Sequence, residues 1–275
     1  MKFRKRLLLI FTAGCICSQS GCAENQSEQL YVSFYGIGET GNPQSLQELL
    51  CYEPENPDFQ ELEALYISGT QFQQYLWDGT VMEGTVSSGE DGRLLMQYED
   101  FTVSEKSADR PDDYKEAQER SLRLYISEAN ETGGLICMYP SGQFLIHPDA
   151  DGWKSSAYMA EWSTVPLYQR GGYLVTEQTE YTLSGTAPEE DFSLSCDGGL
   201  SALTFSSDGT WTEDGTPGGF WELSEDRHLL AAFSKWDEGG TEVMLLYVDF
   251  ASGEVHIPIY MQHDKLLDAF HPQAS

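Results

Sequence analysis

Basic residues are scarce in this chain: 15 Lys and Arg stand against 45 Asp and Glu in 275 residues, a net charge of −30. Four of the bases (Lys2, Arg4, Lys5, Arg6) and none of the acids lie in residues 1–22. The remainder therefore carries 11 bases against 45 acids, a net charge of −34. A field of that sign opposes binding to nucleic-acid phosphates and to an anionic lipid surface, so no nucleic-acid partner is expected. Long apolar runs are also lacking. The run Leu7–Cys17 falls short of the roughly 20 residues that span a bilayer. Cysteine is sparse beyond the N-terminus: of six, only Cys51, Cys137 and Cys196 lie outside residues 1–22. An odd number permits at most one disulfide, and their separations exclude a zinc knuckle. Buried, small apolar side chains are the favoured reading for all three.

Motifs that carry chemistry are equally thin. No Gly-x-Ser-x-Gly elbow occurs. None of His147, His228, His256, His263 and His271 forms the i, i+4 pair of a helical zinc site. Asp149-Ala150-Asp151-Gly152 has the start of a calcium loop but not its later ligands, and reads as a hairpin turn. Gly36-Ile37-Gly38-Glu39-Thr40-Gly41 is a literal GxGxxG after an apolar run. Asn42-Pro43 interrupts before any helix, however, so a Gly-rich turn is the better reading than a dinucleotide site. No cofactor, metal or catalytic residue is nominated. The acids are so numerous that pairing any two for acid–base work carries no information.

What is present begins with an export signal. The cationic block Met1–Arg6 precedes the apolar run and then Ser18-Gln19-Ser20-Gly21-Cys22. This pattern resembles a bacterial lipoprotein signal. The resemblance implies acylation of Cys22, a membrane tether through that lipid, and a location on the outer face of the cell membrane. Gln19 stands where that family usually has an apolar residue, and Thr12-Ala13-Gly14-Cys15 is a rival box. An ordinary cleaved signal, giving a secreted protein, is the alternative.

After the signal, residues 23–44 read as a flexible, polar, Gly-rich linker. Strand signals dominate after residue 60. Leu62–Ile67 and Gly134–Tyr139 are β-prone runs between turn residues. Val255, Ile257, Ile259 and Met261 alternate with Glu254, His256, Pro258 and Tyr260. That alternation places His256 on a polar face, and Pro258, which has no N–H, suggests an edge strand. Asp78-Gly79, Asp91-Gly92, Asp151-Gly152, Asp208-Gly209 and Asp214-Gly215 mark tight turns. Helical patterns are short, near residues 43–51, 111–121 and 263–270. The fold class expected is mainly β: an antiparallel barrel or sandwich with few short helices.

Two matches suggest internal duplication. Leu65–Ser68 with its following turn pairs with Leu203–Ser206, and Leu124-Tyr125-Ile126 pairs with Leu246-Tyr247-Val248. A first module over 45–170, with a charged insertion near 105–121, and a second over 171–275 would follow. Shared hairpin grammar is the competing account. The stretch Leu203–Trp211, then Gly219–Ser224 and Leu229–Phe233, resembles the lipocalin-like domains of bacterial lipoproteins. That resemblance implies a small antiparallel barrel or half-barrel, and leaves function open. Trp153, Trp162, Trp211, Trp221 and Trp236 suit either a β core or a ligand cavity, with core favoured. The functional expectation is a non-catalytic binding or envelope module for an unknown protein or small-molecule partner. An exported hydrolase using acids in a cleft is the alternative.

Overall fold

The structure is a computed structural model that describes residues 28–33, 45–46, 64–76, 79–103, 114–149, 152–187, 189–196, 201–235 and 241–265. Its strands are β1 (Glu28–Ser33), β2 (Ala64–Ser68), β3 (Gln71–Tyr75), β4 (Val81–Ser88) and β5 (Arg93–Thr102), followed by helix α1 (Tyr114–Thr132). Next come β6 (Leu135–Asp149), β7 (Gly152–Val165), β8 (Leu167–Arg170), β9 (Tyr173–Gln178) and β10 (Thr182–Ser184). The last seven are β11 (Phe192–Cys196), β12 (Ser201–Phe205), β13 (Thr210–Glu213), β14 (Thr216–Leu223), β15 (Leu229–Lys235), β16 (Thr241–Asp249) and β17 (Glu254–Gln262).

Eight strands close an antiparallel barrel in the order β1-β2-β3-β4-β5-β8-β9-β17, with β17 returning to pair with β1. The mainly β barrel expected from the sequence is therefore what the chain forms. An eight-stranded barrel is just wide enough for side chains to fill it, and this one is filled. Gln74 on β3 reaches across to Tyr260 on β17, its Nε2 donating to the tyrosine hydroxyl (3.3 Å) and to the Ile136 carbonyl (2.7 Å). Tyr98 on β5 donates its hydroxyl proton to Gln74 Oε1 (2.8 Å) and accepts from the Ile136 N–H (2.9 Å). The first residues of β6 thus sit inside the barrel. Tyr31, Leu65, Phe72, Met82, Met96, Leu174 and Tyr260 pack around them, almost wholly buried.

The wall parts between β5 and β8, which pair only at Arg93–Tyr168 and Leu94–Leu167. Helix α1 covers the gap. Asn130 uses its side-chain amide as a substitute strand, Oδ1 accepting from Tyr98 N (2.7 Å) and Nδ2 donating to Tyr98 O (2.9 Å). The Gly133 carbonyl then accepts from Met96 N. The helix is longer than the expected 111–121. Leu122 and Ala129 are fully buried, with Tyr125 and Ile126 half-buried between them. Those positions have the 3.6-residue spacing of a helix, whereas Leu124 is 71% exposed. Leu124-Tyr125-Ile126 is therefore helical, while its expected repeat partner Leu246-Tyr247-Val248 lies in β16. That half of the duplication match pairs unlike structures. On the far side of the gap, β6 and β7 form a separate two-stranded antiparallel sheet whose last pair is Asp149 with Gly152. This is the expected hairpin.

The remaining strands run β17-β16-β15-β14-β13-β12-β11-β10 as an antiparallel meander that brings β10 back against β17. Its β15, the uninterrupted apolar run Leu229–Phe233, is buried on both sides. Leu230 and Ala232 join Phe192, Phe205, Trp211 and Val255 inside the meander. Leu229, Ala231 and Phe233 turn the other way, to Tyr173, Val175, Tyr247 and Met261. A strand covered on both faces loses the period-two pattern. Room for the Trp211 indole comes from Gly218, where a Cβ would lie about 2.5 Å from the ring; at Gly219 a Cβ would instead collide with the Phe233 carbonyl of the neighbouring strand. Gly219→Ala is expected to cost about 2–4 kcal/mol by forcing the β14–β15 ladder apart. Chemical denaturation would detect it as a lower midpoint, and an unchanged midpoint would contradict the packing described.

Residues 28–33 are not linker: β1 is a barrel stave, with Tyr31, Val32 and Ser33 buried and paired to β2 and β17. The boundary expected at residues 168–172 falls inside the barrel, because β8 and β9 on either side of it are adjacent staves. The chain crosses back again at its end, since β17 belongs to both assemblies.

Candidate functional site

Strand β17 is not an edge. Along one side it pairs with β9; along the other, Glu254–His256 pair with β16 and Tyr260–Gln262 pair with β1. Pro258 sits where the partner changes, flanked by register shifts, so its missing N–H falls in a break of the ladder. The same break overturns the expected alternation. Ile257 is 46% exposed, while His256 and Tyr260, expected on the polar face, are buried.

The polar residues around this seam form one network. His256 Nδ1 lies 3.0 Å from the Thr176 carbonyl and Nε2 lies 3.2 Å from Glu254 Oε2. Arg170, at the end of β8, donates from Nε to the same Glu254 oxygen (3.1 Å) and from Nη1 to the Asp91 carbonyl (2.7 Å). Its guanidinium lies over the Tyr168 ring, 5.6 Å from the centroid. Asp91, at a φ of 56°, takes the left-handed conformation in the tight turn between β4 and β5. An open cleft of about 390 Å³ is lined by Asp91, Tyr168, Arg170, Gln178, Glu254 and His256.

Partial burial works against ionisation of Glu254, but hydrogen bonds from His256 and Arg170 outweigh it and hold the carboxyl below its usual range. Behind the seam, Asp226 behaves alike: burial raises it, while Lys265 (2.7 Å) and Ser224 (2.6 Å) bring it down overall. Tyr173 donates its hydroxyl to Asp226 (3.0 Å), and burial with that charge pushes the phenol far above its ordinary value. Tyr247, between Tyr173 and His228, is pushed up to about 12 by burial and by the Asp249 carboxylate.

A carboxyl lowered in the folded state binds its proton more readily in the unfolded chain. Its stabilisation is therefore present above the ordinary value of 3.8 for Asp226 and is lost as pH falls through the lower folded value. Wild type should lose melting temperature more steeply than Asp226→Asn below about pH 4. Parallel melting curves for the two from pH 6 to pH 3 would refute the assignment.

The other residues singled out in the sequence are placed as follows. Cys22 and Cys15, the Gly36–Gly41 motif, Cys51, Trp236 and His271 lie outside the described residues. Trp153 and Trp162 are on β7, and His147 is on β6. Cys137 is buried in the barrel core and Cys196 is half-buried at the end of β11. Trp211 and Trp221 are core, their indole N–H groups donating to the carbonyls of Phe233 (3.1 Å) and Ser206 (2.9 Å). The cleft residues were missed as a group because they come from three distant stretches, joined by the β5–β8 and β9–β17 pairings. Pro258 inside a strand pattern was the one signal pointing to the seam. No grouping of His, Cys, Asp and Glu able to hold a metal ion occurs among the described residues. No protein-family model, curated protein or solved structure matches the chain. The fold and the seam define a class only: a mainly β protein built on a closed, filled eight-stranded barrel extended by a β meander.

Proposed function

We propose that this protein is an exported, non-catalytic binding module, tethered to the outer face of the cell membrane by lipid on Cys22, with the β17 seam as its ligand site. The observation that carries the binding reading is the state of the cleft. Arg170, Glu254 and His256 are locked to one another and to the backbone, a rigid polar frame such as recognition uses. Asp91 and Glu254 share one cleft, which favours the hydrolase reading on composition. A general acid needs a raised pKa, yet the hydrogen bonds of His256 and Arg170 hold Glu254 below its usual range. The lipocalin-like resemblance of residues 203–233 fits the same reading. The lipid tether rests on the signal pattern around Cys22.

Cys22→Ala should shift the protein from the membrane fraction to the soluble extracytoplasmic fraction. Metabolic labelling with a radioactive fatty acid should mark wild type alone. A mutant that stays membrane-bound, or a wild type already soluble, refutes the anchor.

A further inference from the structure

We infer that the seam cleft binds a neutral saccharide, an assignment that rests on the cleft being a binding site. The lining offers one guanidinium, one imidazole, two carboxylates, one amide and one phenol around about 390 Å³. That volume lies within the usual range for small-molecule sites. The Arg170 and Glu254 charges are already matched to each other. Arg170 is held by Glu254 and by the Asp91 carbonyl, and His256 by Glu254 and the Thr176 carbonyl. An anionic ligand would have to break the Arg170–Glu254 pair and enter against the chain's net negative charge. A cation would meet Arg170 beside Glu254, which leaves it the single carboxylate of Asp91.

What remains on offer is hydrogen bonding of both senses. The Asp91 carboxylate, on the β4–β5 turn, and the Gln178 amide, at the end of β9, edge the cleft and make no hydrogen bond among the described residues. A pair of neighbouring hydroxyls can donate to a carboxylate while accepting from an amide or guanidinium, which is the chemistry of a sugar ring's edge. Tyr168 supplies aromatic surface for the C–H face of such a ring. Gln178 is exposed and Asp91 sits on a surface turn, so both are available to solvent-borne ligand.

The test is calorimetric titration of the full lipidated protein in detergent micelles. The probes are chitotriose and maltotriose as neutral sugars, trigalacturonate as an anionic sugar, and spermidine as a cation. Hydrogen exchange over β8 and β17 reports location. A neutral trisaccharide should bind and protect β8 and β17. Gln178→Ala and Asp91→Asn, which retains tolerance of the left-handed conformation, should each weaken it about tenfold, the equivalent of one lost polar contact. Binding unaffected by both variants places the sugar elsewhere and overturns the inference. Trigalacturonate or spermidine protecting the seam while neutral sugars do not overturns the saccharide class and leaves the binding reading standing. No protection by any probe overturns both.

Discussion

A chain that stops at Gly253 is expected to lose the barrel and the meander together. Strand β17 contributes Val255 to the meander's core, Ile259 and Tyr260 to the barrel's, and Met261 to the layer between them. With His256, these are five side chains at most 4% exposed. At roughly 1.5–3 kcal/mol for each large apolar side chain, removing the four apolar ones costs about 6–12 kcal/mol. That is comparable to the whole stability of an ordinary domain. The truncation also opens the barrel by removing the stave between β9 and β1. Circular dichroism and calorimetry of the truncated chain should show no cooperative transition. A surviving transition would mean that the meander or the open barrel folds without its shared strand.

The second large effect lies in the barrel interior. Gln74→Leu keeps the volume but removes the acceptor of the Tyr98 hydroxyl and the donor to the Ile136 carbonyl. Each buried polar group left unsatisfied costs about 1–3 kcal/mol, so a loss of roughly 2–5 kcal/mol is expected. For a chain of this size that is a fall in melting temperature of about 5–15 °C. Tyr98→Phe alone should also destabilise, since it orphans the Ile136 N–H and Gln74 Oε1. Because both substitutions disable one network, the double variant should cost less than the two singles summed. Additive losses, or a Gln74→Leu variant as stable as wild type, would show that the network does not hold the β6 plug.

Both effects depend on features that the sequence discloses unequally. The class was legible: Asp208-Gly209 and Asp214-Gly215 mark two connections of the meander, and β6 and β7 pair antiparallel up to Asp149 and Gly152. Gln74 was not, because a glutamine in Gln71-Phe72-Gln73-Gln74-Tyr75 reads as the solvent side of a strand unless its partners on β5, β6 and β17 are known. Helix α1 was read too short because its apolar stripe Leu122, Tyr125, Ile126, Ala129 includes a run, Leu124–Ile126, that also suits a strand. β1 holds part of the apolar run before Gly36, but only its pairing with β2 and β17 makes it a barrel stave rather than linker. The candidate site failed to appear for the same reason. Periodicity reports which way a side chain points relative to its neighbours, not which distant strand lies alongside.

The pairing of Tyr31 with Gln262 has a kinetic side. These residues are 231 positions apart, so the barrel cannot close until nearly the whole chain is accessible to itself. Contacts of such long sequence separation slow folding. In a polypeptide exported N-terminus first, as proposed for this one, β17 would cross after every other stave of the barrel. The barrel would then stay open at least until β17 has crossed, which keeps the preceding staves threadable.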